Sequence, residues 1–358
     1  MIIIDVIWSA TDARFENSVL CSKLTRGPEI RGRDGQKFGE TMNLTIERRA
    51  NLSYEEFATE YLWPNKPVIV TDAIRNWKAL GRWSPEFFKR EFGEMKFTIA
   101  EGLERKTGYK ENAGDGVEYT MAQFIDRVLD SSDENPAPYF RNRVLYDVFP
   151  SLRDDIQPLP EYFLPNWLPD RYLVKYVGEV LNRGAAIEVY IGGKGGAFPV
   201  LHYDGAGTHA FLMQIFGRKQ FLLYPPEQEP FLYPLPEKAN LSQVNSVNNP
   251  DLQRFPLFAK AVPSIFVLEA GELAFIPSHW WHTTKMLSAS ISVSANVVNQ
   301  SNWHELVHFV SARRRNPIVS LASRVYLGGA GAWRSWRDRD WRDRVGRKAT
   351  TSGIHRAL

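Results

Sequence analysis

"LHYDGAGTHAFLMQIFGRKQFLLYPP", from Leu201 to Pro226, carries three residues that are uncomfortable in a sheet. "AFLMQIFG" and "RKQFLLYPP" are short apolar runs separated by Gly217, and they read as consecutive strands. His202 and Asp204 stand two apart just before them, and Lys219 lies inside the second. In a strand, residues i and i+2 point to one face. His202 and Asp204 therefore project together, and Lys219 shares a face with Phe221 and Leu223.

Outward from this stretch the same pattern repeats in "AIEVYIGG", "FPVLHYD", "SIFVLEAG", "ELAFIPS" and "ISVSANVVN". Short strands at this spacing indicate a β-sandwich or barrel. Residues 227–262 form an insert between strands, the kind of loop that sits near a barrel mouth. Upstream, the pattern mixes helix and strand. Ser53 with Glu56 predicts a capped helix over "YEEFATEYLW", Ser84-Pro85 opens "SPEFFKREFG", and Thr120 caps "MAQFIDRVLD". "KPVIVTDA" and "PAPYFRNRVL" read as strands, and helical spacing returns in "NWHELVHFVSARRR". No internal repeat is present.

The 358 residues are 44% hydrophobic, 24% charged and 13% aromatic, an ordinary globular composition with many large core formers. A single cysteine, Cys21, excludes an intramolecular disulfide and a cysteine-based metal site, which favours a reducing compartment. The start "MIIIDVIW" is too short for a signal sequence, and no run is long enough to span a membrane. The expectation is a cytoplasmic protein. Net charge is +3, unevenly spread: residues 311–358 hold 12 Lys and Arg against 3 Asp and Glu.

Two ligands on one strand need a third from elsewhere, and His282 in "GELAFIPSHWWHTTKM" is the candidate. Two neutral imidazoles and one carboxylate on one face of an octahedron make the ligand set of non-haem Fe(II) oxygenases. Zinc accepts the same ligands in a tetrahedral site. Lys219 sharpens the choice. If Phe221 and Leu223 face inward, so does its ammonium, and burying that unpaired costs several kcal/mol. A dicarboxylate co-substrate would supply the partner; the alternative is a lysine snorkelling to water at the strand mouth.

"HYDGAGTHAFLMQIFGRKQFLLYPP" followed by "GELAFIPSHWWH" resembles the cupin-like JmjC family of Fe(II)- and 2-oxoglutarate-dependent oxygenases. Within it, the chain looks most like the hypoxia-inducible-factor asparaginyl hydroxylases, over roughly residues 44–303. The resemblance implies a mainly β fold with flanking helices around a double-stranded β-helix (jelly-roll) core. Together with the aperiodic polar start and the basic end, which lie outside the resemblance, this divides the chain into an N-terminal arm (1–42), an α/β buttress (43–174), the catalytic core (175–300), and C-terminal helices with a basic tail (301–358). It implies His202, Asp204 and His282 as iron ligands. Lys219 and Tyr139 would bind the distal carboxylate of 2-oxoglutarate, and Asn296 would lie beside its chelating end. Where the family often has a threonine this chain has Pro199, with Thr208 as the candidate replacement. A family asparagine is replaced by Ala210 or Leu212. The reaction implied is hydroxylation of a C–H bond with O2, on a protein or peptide side chain. Hydroxylation of a free amino acid, a secondary metabolite or RNA is the alternative, and a non-catalytic metal-binding cupin module is a further one.

The remaining histidines have structural readings. His279 belongs to the turn before His282, His209 caps a loop, and His304 with His308 is an i, i+4 pair in ordinary helix packing. "GGKGG" is a turn, lacking the Lys-Ser/Thr ending of a phosphate loop. In the tail, Trp333, Trp336, Trp341 and Val345 fall near one helical face, read as docking on the body or a second subunit with solvated arginines opposite; the rival reading is a nucleic-acid surface. Related hydroxylases dimerise through C-terminal helices, which makes residues 302–326 the expected homodimer interface. Arg141 and Arg143 are candidate substrate contacts.

Overall fold

Which way each strand alternates decides what its two faces can cover. The computed structural model describes residues 45–99, 116–168, 187–198, 200–244, 246–312 and 316–338. The arm at 1–42, Pro199, Trp341 and Val345 lie outside the described residues.

The first strands are β1 (Glu47–Arg49), β2 (Val68–Val70), β3 (Lys96–Ile99), β4 (Val117–Thr120), β5 (Phe140–Val144) and β6 (Glu188–Gly192). After them come β7 (His209–Phe216), β8 (Lys219–Tyr224), β9 (Pro234–Leu235) and β10 (Lys238–Ser242). The last are β11 (Ser264–Leu268), β12 (Leu273–Ile276), β13 (Trp281–Met286) and β14 (Ser290–Val297). Seven form one sheet in the order β1-β2-β12-β7-β14-β6-β5, and three form a second, β11-β8-β13. Every neighbouring pair in both sheets is antiparallel except β1 with β2.

The two sheets face each other across one apolar interior. Ile69, Ala210, Ala274 and Ile276 from the large sheet meet Phe221, Leu223 and Leu268 from the small one. This is the jelly-roll core expected from the strand pattern. The opposite face of the large sheet is also buried, because the N-terminal helices lie on it. Phe57, Phe88 and Phe124 pack there with Met213, Phe275, Val189, Ile291 and Val293. Those helices start where the sequence predicts. Ser53 Oγ accepts from the Glu56 N–H and the Glu56 carboxylate accepts from the Ser53 N–H, a complete capping box. Thr120 and Gln123 repeat it at Met121–Leu129, and Ser84 caps Pro85–Phe92. The first helix, Tyr54–Phe57, continues as a π-helical turn over Ala58–Leu62 that the sequence pattern does not reveal.

The strand expected over "FPVLHYD" is reduced to isolated bridges at Ala197 and His202. Beyond Asp204 the chain turns at once, through Ala206 (φ 62°) and Gly207 (φ 63°). Glycine is needed at 207 on two counts: a Cβ there would lie 2.4 Å from Glu305 Cβ in the helix Trp303–Ala312.

The insert covers the outer face of the small sheet. Leu232, Val244, Phe255 and Phe258 pack on Leu222, Tyr224 and Trp281. The C-terminal helices Trp303–Ala312 and Pro317–Arg337 close over Trp167 and Ala206. Here the tail departs from the reading of tryptophans docked on the body with every arginine in solvent. Trp333 and Trp336 point outward (55% and 67% exposed), whereas Arg334 is buried (4%). Its guanidinium lies near the Trp167 and Trp303 rings and donates to the Trp167 carbonyl, which gives the charge a polar partner and two π faces. Among the described residues no helix is long and apolar enough to cross a membrane.

Phe57 joins the first helix to the sheet, with its ring 4.9 Å from Phe275 and 5.0 Å from Tyr162. Phe57→Ala is expected to destabilise the fold by about 3–5 kcal/mol, measured as a lower urea midpoint at unchanged m-value.

Candidate active site

His202 and His282 meet as backbone partners. The His202 N–H donates to the His282 carbonyl (3.1 Å) and the His282 N–H to the His202 carbonyl (2.6 Å). That reciprocal bridge brings the imidazole centroids to 4.4 Å. Asp204 approaches from the start of the glycine turn, its Oδ1 3.9 Å from His202 Nε2. One ligand atom from each of His202, Asp204 and His282 lies within 4.8 Å of the other two. The sequence-predicted triad is therefore brought together.

Hydrogen bonds fix both tautomers. His202 Nδ1 donates to the Val200 carbonyl and His282 Nδ1 to the Trp280 carbonyl, each at 3.0 Å. A carbonyl only accepts, so each Nδ1 holds a proton and each Nε2 keeps its lone pair for a metal. Burial, then the neighbouring His282, holds His202 well below its ordinary pKa, while burial pushes the Asp204 carboxyl up. A divalent cation would relieve both penalties. This donor set fits Fe(II) bound on one face, with the opposite face left for substrate ligands.

Lys219 lies inside the barrel and is 2% exposed, so it does not snorkel. Its Nζ donates to Ser292 Oγ (2.5 Å) and to the Tyr139 hydroxyl (3.3 Å), and lies 5.7 Å and 5.5 Å from the Tyr139 and Tyr190 ring centroids. Among the described residues no carboxylate pairs with it. Burial alone pushes its pKa down to about 7. Burial likewise raises the Tyr139 hydroxyl, which stays protonated. A buried cation between two hydroxyls, lacking only an anion, fits the far carboxylate of 2-oxoglutarate.

Asn296 is half-buried, pairs with Ala210 across β14 and β7, and shares its strand face with Ser292 and Ser294. Thr208 is buried and its hydroxyl donates back to the Gly205 carbonyl at 3.4 Å, within the turn after Asp204. Phe198 stacks on the His202 ring at 4.4 Å, and the Arg141 guanidinium lies 5.0 Å from the Phe198 centroid. Arg143 instead donates to the Thr98 carbonyl. Ser292, Tyr190 and Phe198 escape the sequence reading. For Ser292 a signal existed: Ser290, Ser292 and Ser294 alternate with Ile291, Val293 and Ala295, so an apolar outer face implies a hydroxyl-lined inner one.

The other histidines have different duties. His209 accepts from the Ser278 N–H at Nδ1 (3.0 Å), so its Nε2 donates to Ser301 Oγ (2.8 Å), and neither nitrogen is left for a metal. Burial pushes its pKa down to about 3. His279 has φ 63° and places Nε2 3.0 Å from Glu305, against which His304 also lies.

Comparison with known proteins agrees with this geometry. A family model described as a cupin-like domain matches residues 54–305. The chain belongs to the cupin-like domain family. Lysine-specific demethylase 8 of Danio rerio is 32% identical to this cupin-like chain over 246 residues, 68% of the chain and 55% of that protein. JmjC domain-containing protein D of Dictyostelium discoideum is 31% identical over 256 residues (67% and 53%). The 2-oxoglutarate and iron-dependent oxygenase JMJD4 of Gallus gallus is 29% identical over 273 residues (72% and 60%). The chain spans about half the length of the curated relatives it matches. The JmjC resemblance read from the H-x-D stretch and "GELAFIPSHWWH" is borne out by these matches.

His202→Ala and His282→Ala are each expected to abolish stoichiometric binding of Co(II), used as an optical stand-in for iron, while His304→Ala, on an exposed helix face, binds as the wild type does.

Proposed function

We propose that the chain is an Fe(II)- and 2-oxoglutarate-dependent oxygenase that hydroxylates a C–H bond, on a protein or peptide side chain. The observation that carries this reading is the pairing, inside one barrel, of a convergent His-Asp-His triad with a buried ammonium that has no carboxylate partner among the described residues. A hydrolytic zinc site has no use for the second feature. Bound iron and 2-oxoglutarate would supply the means of activating O2 for C–H oxidation. The chain's own part is placement. The Nε2 atoms of His202 and His282 and the Asp204 carboxylate would hold the metal, with the Nδ1 bonds to Val200 and Trp280 keeping the rings from turning. Lys219 and Tyr139 would hold the far carboxylate, and Asn296 and Thr208 would serve the chelating end. Leu212, Phe221, Leu223 and Ile276 line the interior and would exclude water from the reacting centre. Oxidation of an N-methyl group by the same chemistry ends in demethylation, the activity that the names of the lysine- and arginine-specific relatives state.

Anaerobic titration of Fe(II)-loaded protein with 2-oxoglutarate tests this. A visible metal-to-ligand charge-transfer band is expected, absent in His202→Ala and reached only at higher 2-oxoglutarate in Lys219→Ala; no band in folded wild type would sink the reading. The pH dependence has a definite sign. With the free Lys219 at about 7 and its pKa raised by the bound anion, binding takes up a proton at higher pH. Affinity is flat below pH 7 and weakens by roughly tenfold per pH unit above it. Lys219→Met should lose this dependence; a wild-type affinity unchanged between pH 6.5 and 9 would contradict the assignment.

We also infer a homodimer through the C-terminal helices, in the cytoplasm, the reducing compartment that suits a single cysteine. Ile318, Leu321, Val325 and Trp336 recur at helical spacing on one exposed face of Pro317–Arg337, and Gly328 and Gly329 between them leave room for close approach. Light scattering should give twice the chain mass, and Leu321→Glu with Val325→Glu should halve it. A wild-type monomer at micromolar concentration refutes the interface.

A further inference from the structure

Arg141 works against the metal site it lies beside. It stands two residues after Tyr139 on β5, an edge strand of the large sheet. Phe140 between them packs in the helix-side core, so strand alternation returns Arg141 to the barrel side. There its guanidinium lies 5.0 Å from the Phe198 centroid, and Phe198 stacks on the His202 ring at 4.4 Å and 18°. Its charge reaches both ends of the centre. After burial and the His282 imidazole, it too disfavours a proton on His202, and it acts against burial on the Tyr139 hydroxyl. A fixed cation that opposes a proton on a ligand opposes a divalent metal in the same way. It weakens the site unless an anion arrives beside it.

The strand is bent to put it there. Phe140 pairs with Ile191 and Arg143 with Val189, three steps on β5 against two on β6. The extra residue is taken up at Asn142, whose φ of 54° is left-handed. This bulge sends the two arginines different ways. Arg143 donates to the Thr98 carbonyl (2.7 Å) and lies 5.9 Å from the Phe140 centroid, a structural role. Arg141 and Phe198 are both half-buried, so their corner of the barrel opens to solvent next to a metal ligand. A guanidinium supplies a planar N–H fork that matches a carboxylate with two parallel bonds, and its weak hydration suits it to a place half out of water.

We propose that Arg141 selects the substrate: it binds the side-chain carboxylate of an aspartate or glutamate in a protein or peptide whose neighbouring C–H is brought to the metal. This rests on the oxygenase reading given above and names its substrate class. Arg141 determines specificity and takes no part in the oxidation. The rival role, holding Phe198 on His202, needs the length of the side chain and not its charge.

The test uses full-length protein loaded with Fe(II) and 2-oxoglutarate, kept anaerobic, and a pooled library of random decapeptides, acetylated and amidated so that side chains supply the only carboxylates. Wild type should enrich peptides with Asp or Glu at one recurring position. Arg141→Met, which keeps the packing against Phe198 without the charge, should not. An acidic decapeptide from the enriched set should bind Arg141→Met about ten- to a hundredfold more weakly. Its Asn or Gln counterpart should bind both proteins alike, and Arg141→Lys should recover part of the difference. Arg141→Met should also bind Fe(II) at least as tightly as wild type; weaker Fe(II) binding marks a role in holding His202 and overturns the proposal. So does a wild-type library with no acidic preference, or a preference that Arg141→Met retains. Equal loss of 2-oxoglutarate and peptide affinity in Arg141→Met assigns the guanidinium to the co-substrate instead. Failure of the underlying reading shows separately: wild type with no charge-transfer band on adding 2-oxoglutarate is not this oxygenase, and the proposal falls with it. A normal band without acidic enrichment defeats the substrate assignment alone.

Discussion

A sheet covered on both faces leaves no side for polar residues to reach water. The large sheet is in that position, with the N-terminal helices on one face and the small sheet on the other. Every polar group placed on it must find a partner inside or lose free energy. On β14 the outer residues are Ile291, Val293 and Ala295, and the inner ones Ser290, Ser292 and Ser294, all buried. The apolar set completes the helix-side core. The hydroxyl set faces a barrel that also contains Lys219, Gln214 and Tyr190. Such a barrel is half core and half binding site, divided by strand alternation.

The metal end follows a different principle. Its geometry comes from backbone pairing, with His202 and His282 opposite each other in a short antiparallel bridge, so side-chain freedom contributes little to their separation. Carbonyls of Val200 and Trp280, each two residues before its histidine, then set the ring orientation. The insert adds a second restraint, because Asn240 exchanges hydrogen bonds with the backbone of Tyr203, between two of the ligands. Glu305 backs the glycine turn from the other side. The ligand segment is too short to be a strand, and it is held on both flanks by residues from later in the chain.

What could be read from the sequence was what short-range chemistry controls. Ser53, Ser84 and Thr120 announce their helices because a cap involves residues three apart. His202 and Asp204 stand two residues apart and reach one site, although only an isolated bridge forms where a strand was expected, and the apolar company of Lys219 foretells its burial. Partners distant in the chain were not legible. Ser292 meets Lys219 only because β8 and β14 lie on opposite sheets that close on each other, and no local pattern says which serine arrives there. Arg334 was misjudged for the same reason. Its burial depends on two indoles and a carbonyl contributed by Trp167 and Trp303. The choice of His282 over His279 rests on a backbone dihedral, since φ 63° turns His279 towards Glu305.

The bridge between His202 and His282 also dictates an order of events during synthesis. The first histidine and Asp204 leave the ribosome well before the insert, and the second histidine follows it. Until β13 pairs with β8, a nascent chain presents two ligands and no third. A metal held by all three ligands would therefore favour the completed barrel over any partial one, and its binding energy would stabilise the finished fold. A chain arrested within the insert would leave the ribosome with an incomplete ligand set and no enclosed place for oxidant chemistry.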